Sequence, residues 1–290
     1  MQLKTIEQVI KSKLIEWLGT INDFELRERV KDSILLSGGS IASMLLNQDV
    51  NDYDIYIKDV NVLRDITAYY TKGHKAIKVL WGGDKESLMA LDFSDKETSY
   101  SIAIQNLKSD QLKLYFGGSL CYKIEKPTYK KYVPVFFSPN AISLSDNIQI
   151  VLRFHGDNEQ IHKTFDFIHA TNYFTFKDGL VTNIKALESL LTKQLIYQGS
   201  LYPLTSIIRM KKFIKRGWNI NAGEILKIMF QISELDLKEP STLEEQLIGV
   251  DVAYFSILIE ILRGVDKKTI TSVFLNTVID RVFNSSNEEI

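Results

Sequence analysis

Between Ile34 and Phe176 the apolar residues come in short runs, several of them alternating with polar ones, and that spacing predicts strands. The runs are Ile34 to Leu36, Tyr53 to Ile57, Tyr100 to Ile104, Leu112 to Phe116, Tyr132 to Phe137, Ile148 to Phe154 and Phe165 to Ala170. Asp146-Asn147, between Ala141–Leu144 and Ile148–Phe154, reads as a hairpin turn. Elsewhere the apolar period is helical. Ile6, Val9, Ile10, Leu14, Ile15 and Leu18 form one stripe, Ile184, Leu187, Leu190, Leu191 and Leu195 a second, and Ile207, Ile208, Phe213 and Ile214 belong to a third. Asn221…Glu224 and Ser241…Glu244 look like capping boxes, and a last helix is expected to begin near Lys267. The pattern predicts an α+β protein: a head over residues 1–182 with a β-rich insertion at about 95–145, then a helical domain over 183–290.

Composition narrows the class. With 45% hydrophobic and 24% charged residues over 290, the chain has the make-up of a globular protein, which excludes disorder and collagen-like repeats. A net charge of -1 excludes an overall basic coat but leaves room for a local one. The one cysteine, Cys121, cannot form an internal disulfide or a cysteine-cluster metal site. The N-terminal stretch alternates Lys and Glu with its apolar positions, unlike a signal peptide, and no apolar run approaches a membrane span. A soluble protein without a membrane partner is expected.

Candidate chemistry gathers at Leu35-Leu36-Ser37-Gly38-Gly39-Ser40, followed eleven residues on by Asp52-Tyr53-Asp54-Ile55-Tyr56-Ile57. Gly38-Gly39 allows a tight strand-to-helix turn with no side chain near a ligand. Ser40 opens the next helix, where backbone N–H groups and a hydroxyl can face a phosphate. Period-two alternation sets Asp52 and Asp54 on one side of their strand, an oxygen-rich pair suited to Mg²⁺ or Mn²⁺. The other pair, Gly117-Gly118-Ser119, has no acid-apolar-acid strand at that distance and reads as a turn.

A third acid, Asp166, is enclosed by aromatics on a predicted strand, where a metal or basic partner would offset its burial. Gln149 and Arg153, four apart on a strand, share a face, and Arg153 could clamp a triphosphate. Lys185, Lys193, Arg209, Lys211, Lys212, Lys215 and Arg216 are set against the single acid Glu188, with Lys212 and Arg216 on one helix side and Arg209 a turn earlier. Such a stretch suits a triphosphate or a nucleic-acid backbone. Gly199-Ser200 predicts a loop entering a helix at Pro203, where Ser200 or Tyr202 could bond or stack with a nucleotide. The four histidines lack zinc-site spacing, and His169, three residues after Asp166, would face away from it on a strand.

The Gly-Gly-Ser turn followed by Asp-Tyr-Asp resembles the nucleotidyltransferase superfamily of the polymerase-beta-like fold. Thr164 to Ala170, Tyr202-Pro203-Leu204 and Arg209 to Trp218 extend the resemblance to class II CCA-adding enzymes and bacterial poly(A) polymerases, over roughly residues 30 to 220. The chain departs from that pattern where Thr164 and Phe165 stand in place of paired arginines, and where Leu201-Tyr202 replaces a base-selecting Glu-Asp. Gly199 to Leu204 and Lys211 to Trp218 are also similar to nucleotidyltransferases of tailed phages.

The resemblance implies a metal-dependent enzyme, acting in the host cytoplasm if phage-encoded. It would move an NMP from an NTP such as ATP or CTP to an acceptor hydroxyl, for example an RNA or tRNA 3′ end. Asp52, Asp54 and Asp166 would be the catalytic metal ligands. Gly38, Gly39, Ser40, Arg153, Ser200, Tyr202, Arg209 and Lys212 would hold the nucleotide. The competing expectation is a protein that keeps the fold as a binding, virion or regulatory component and transfers nothing.

Overall fold

The computed structural model describes residues 2–75, 77–84, 110–116, 121–124, 130–246, 261, 264–265 and 270–284. The run Tyr100–Ile104, the pair Gly117-Gly118 and the expected helix start near Lys267 lie outside them. The chain divides into two compact units, Met1–His162 with Ala170–Leu190, and Lys163–His169 with Leu191–Ile290.

The first unit opens with α1 (Leu3–Leu18) and α2 (Phe24–Ser33). Ile6, Ile10, Leu14, Trp17 and Leu18 are buried on α1, whereas Val9 and Ile15 are exposed, so the buried stripe is narrower than the sequence implies. Asp23 caps α2, its carboxylate accepting the Leu26 N–H at 3.0 Å. There follow β1 (Ile34–Ser37), α3 (Gly39–Leu45), β2 (Tyr53–Ile57) and α4 (Val60–Thr71), the last capped by Asp59. Strands β3 (Lys78–Trp81) and β4 (Leu112–Tyr115) form a separate antiparallel pair.

Strands β5 (Tyr122–Lys123), β6 (Pro134–Ser138), β7 (Ala141–Leu144), β8 (Ile148–His155), β9 (Tyr173–Thr175) and β10 (Gly179–Val181) complete an eight-stranded mixed sheet, with α5 (Asn158–His162) after β8. The order is β10-β9-β1-β2-β8-β7-β6-β5, antiparallel except for the parallel pair β2–β8. Asp146 and Asn147 both take positive φ (59° and 63°) within the short loop that joins Leu144 of β7 to its partner Ile148 of β8.

Alternation sorts the central strands into two faces. Ile34 and Leu36 of β1, Ile55 and Ile57 of β2, Ile148, Ile150 and Leu152 of β8, and Phe174 of β9 join one hydrophobic core with the buried faces of α1, α2 and α4. By period two, Leu35 and Ser37, Asp54 and Tyr56, Gln149, and Tyr173 belong to the opposite face.

The second unit contains α7 (Pro203–Lys215), α8 (Ala222–Ser233), α9 (Pro240–Gln246) and α10 (Ser272–Asn284). A short parallel pair, β11 (Gln194–Leu195) with β12 (Asn219–Ile220), accompanies these helices. The connecting helix α6 (Ile184–Thr192) ends before Lys193, whose φ is 50°, so Leu195 lies on a strand rather than on the helical stripe. Ile184 and Leu191 are exposed, and α6 buries Ala186, Ser189 and Leu190 instead. Pro203 opens α7 as expected, and Asn221 caps α8 by accepting the Glu224 N–H at 3.0 Å. Helix α9 starts at Pro240, which makes Ser241 its second residue rather than its cap.

The predicted strand Phe165–Ala170 is not formed. Only Phe167 makes a bridge, to Tyr197, and Ile168–Ala170 is a 3-10 turn. Side-chain contacts shape this segment: Phe167 and His169 pack on Phe213, and His169 also on Trp218, all within the second unit.

Candidate functional site

The site begins where β1 ends. Gly38 has φ 102° and ψ -147°, a conformation open to glycine alone, and it turns the chain into α3. A methyl group at Gly38 would lie 3.4 Å from Asp54 Oδ2, so the carboxylate stands directly beside the turn. The pairing Leu36↔Ile55 explains this, because it sets the C-terminal end of β1 against the N-terminal end of β2. Asp54 in turn pairs with Gln149 across the parallel β2–β8 ladder. The sequence motif, split over sixteen positions from Gly38 to Asp54, therefore closes into one place.

Asp52 precedes β2 and is exposed, while Tyr53 fixes the entry by donating its N–H to Asn147 O at 2.7 Å. Ser40 lies in the first turn of α3 with 2% of its surface exposed, and its Oγ has no hydrogen-bond partner among the described residues. An orphaned buried hydroxyl is costly, so the bare Ser40 Oγ calls for an explanation. The Gly38 N–H has a different role. It donates to Ala170 O at 3.1 Å, so Gly38 contributes backbone shape rather than a free donor.

Beneath the turn, Ser37 is fully buried. Its Oγ donates toward Asn172 O (2.9 Å) and Ala170 O (3.3 Å), and lies 3.0 Å from His162 Nε2. Burial pushes the His162 imidazole down to about 4, which keeps it neutral. No spacing signal marks His162 in the sequence, since 125 residues separate it from Ser37.

The remaining candidates sit in other settings. Arg153 is buried, with its guanidinium 5.6 Å from the Phe154 ring. The β2–β8 register slips between Ile150 and His155, the stretch that contains it, and Leu152 and Arg153 are buried in succession. Counting by twos from Gln149 therefore does not fix where Arg153 faces.

Asp166 belongs to the second unit. Its Oδ2 accepts from Arg209 Nη1 at 2.9 Å and its Oδ1 from the Phe167 N–H at 3.0 Å. Arg209 thus supplies the basic partner that a buried acid needs. Ser200 Oγ accepts the Tyr202 N–H at 2.9 Å, while the Ser200 N–H donates to Gln231. Lys211, Lys212, Lys215 and Arg216 are exposed toward the end of α7. Burial pushes the His169 imidazole down to about 4, against the opposing field of Asp166.

The donor set at this edge is Asp54 on β2 and Asp52 just before it. Two carboxylates offer the hard oxygens that Mg²⁺ prefers, and Mg²⁺ ordinarily completes its shell with water and substrate phosphates. Among the described residues no group of three or more His, Cys, Asp or Glu comes together as a protein-only metal cage.

An α+β protein with a Gly-Gly-Ser turn closed on an aspartate strand is the class that fold and site define. Residues 8–193 match the family described as Gabija anti-defense 2 family protein, and the chain belongs to that family. A curated relative from Bacillus phage SPbetaL7, "Gabija anti-defense 2", is 21% identical over 246 residues. The match takes in 84% of this chain and 47% of the relative, so the chain spans about half the relative's length. Among solved structures, the Thermotoga maritima CCA-adding enzyme complexed with tRNA is similar at 13% identity and TM-score 0.39, covering 95% of this chain and 57% of that one. An apo CCA-adding enzyme is similar at 11% identity and TM-score 0.41, covering 96% and 59%. No helix among the described residues is long and apolar enough to cross a membrane.

Proposed function

We propose that this protein is a metal-dependent nucleotidyltransferase used against the Gabija defence, moving an NMP from an NTP to an acceptor hydroxyl and releasing pyrophosphate. The observation that carries the reading is the closure of the motif: the Asp54 carboxylate beside the Gly38 turn, with the buried Ser40 hydroxyl lacking a protein partner. Gly38 and Gly39 leave space for a triphosphate against the backbone, and Ser40 donates to it. Asp52 and Asp54 hold Mg²⁺ or Mn²⁺. When bound between these two carboxylates, such a cation would neutralise phosphate charge and lower the pKa of an attacking hydroxyl. Arg153, buried in the same unit, adds positive charge for the nucleotide. Asp166, held by Arg209 within the second unit, is left out of this metal site. Family membership favours an acceptor within the defence machinery, with an RNA 3′ end as the competing acceptor.

The second reading, a binding protein that transfers nothing, draws on the same ion pair, which gives Asp166 and Arg209 a structural role. Growth of a Gabija-sensitive phage on Gabija-bearing cells separates the two. The wild-type protein is expected to restore growth, and Asp52→Ala/Asp54→Ala, produced to the same level, is expected to fail. Full protection by the double variant would refute catalysis and leave binding. Failure of the double variant at an unchanged protein level would support catalysis.

A further inference from the structure

We propose that His162 is a positioning residue for the nucleotide site, acting through Ser37 to hold the Gly38-Gly39-Ser40 turn in its binding shape. This rests on the nucleotidyl-transfer reading above, because it assigns the turn to the triphosphate.

The argument begins with one hydroxyl. Ser37 Oγ has a single proton and three neighbours: Asn172 O, Ala170 O and His162 Nε2. The two carbonyls can only accept, so the hydroxyl proton goes to them. The imidazole then donates its Nε2–H to a lone pair of Ser37 Oγ. A neutral imidazole with its proton on Nε2 satisfies this, and burial at His162 favours the neutral form. Tyr173, the cross-strand partner of Ser37, packs beside the imidazole with ring centroids 5.7 Å apart and ring planes tilted by 60°.

The consequence falls on the turn. Ala170 O receives both the Ser37 hydroxyl and the Gly38 N–H, so one carbonyl sets the first peptide of the glycine pair. Gly38 occupies a conformation only glycine tolerates, and such a backbone persists only where its surroundings hold it. His162, Ser37 and Ala170 are those surroundings. They also lie where the chain leaves the first unit after His162 and returns at Ala170, so one hydroxyl ties both ends of that excursion. Ordinary sheet pairing needs none of this: β1 and β9 are already joined through Leu36↔Phe174 and Ser37↔Tyr173. Neither the buried serine side chain nor the imidazole is required for those pairs.

The test is equilibrium binding of α,β-methylene analogues of the four NTPs, with Mg²⁺, to the full chain. His162→Ala is expected to weaken binding about tenfold, the worth of roughly one buried hydrogen bond. His162→Gln, whose amide nitrogen reaches the same place, is expected to restore binding to within about twofold of wild type. Ser37→Ala should weaken binding as His162→Ala does, and the double variant no further, since both remove one interaction. Tyr70→Phe removes the buried Trp17–Tyr70 hydrogen bond of the same unit and serves as the stability control. It should lower the melting temperature and leave binding unchanged. The inference is overturned if His162→Ala binds as wild type does, if glutamine fails to restore binding, or if Tyr70→Phe weakens it equally. If the wild-type protein binds none of the analogues, the nucleotidyl-transfer reading fails and takes the inference with it.

Discussion

Gly38 shows how one residue couples backbone to chemistry. Its positive φ excludes side chains by strain, and the nearby Asp54 oxygen limits what could be added even if the backbone yielded. Gly38→Ala is expected to cost about 1–3 kcal/mol of stability and to weaken nucleotide binding, read by thermal unfolding and by the same binding measurement. Asp166 illustrates the opposite case, an acid whose environment is mainly structural. Among the described residues, Arg209→Ala leaves the carboxylate the Phe167 N–H alone, and because Arg209 is partly exposed the expected loss is about 1–2 kcal/mol, measured by denaturant unfolding. His169 carries a pH signature. Its imidazole titrates near 4 when folded and near 6.5 when unfolded, so between those values the unfolded chain binds more protons. This contribution is present above pH 6.5 and is lost as pH falls toward 4. His169→Phe is expected to flatten the stability profile in that window, and an unchanged profile would contradict the assignment. That the Gly38 turn and Asp54 come together was legible in the sequence, because they end and begin two successive strands that pair. Arg209 as the partner of Asp166 was not, because the two meet across 43 residues of chain.

Elements were legible where one face is buried and the other is not. Strands β1, β2 and β8 follow their apolar runs closely, since Ile34, Leu36, Ile55, Ile57, Ile148 and Ile150 all enter one core. The segment Phe165–Ala170 has the same alternation and yet forms no strand, because Phe167 and His169 pack on Phe213 and no continuous ladder partner takes up its backbone. The caps divide likewise. Asn221 holds the Glu224 N–H, so Asn221→Ala is expected to lower the stability of the second unit by about 1 kcal/mol while leaving nucleotide binding intact, as read by urea unfolding beside a binding titration. Ser241 fails as a cap because Pro240, fixed in φ and lacking an N–H, is already suited to the first helical position. In both cases the sequence pattern is permissive, and the competing local geometry decides the boundary.

At the scale of the molecule, a near-neutral chain holds two local concentrations of charge: Asp52 and Asp54 at the head of β2 in the first unit, and Lys211, Lys212, Lys215 and Arg216 toward the end of α7 in the second. Fold class was readable from the change of apolar period along the chain. The family's anti-defence association was not, because neither periodicity nor spacing encodes an acceptor. Transfer of label from each α-³²P-labelled NTP, with Mg²⁺ or Mn²⁺, into RNA and protein fractions of Gabija-bearing cell extract tests the central claim most directly. The account expects label in one of these fractions from the wild-type protein, reduced about a hundredfold or more by Asp52→Ala/Asp54→Ala. No transfer with any NTP, or transfer that survives the double substitution, would contradict it.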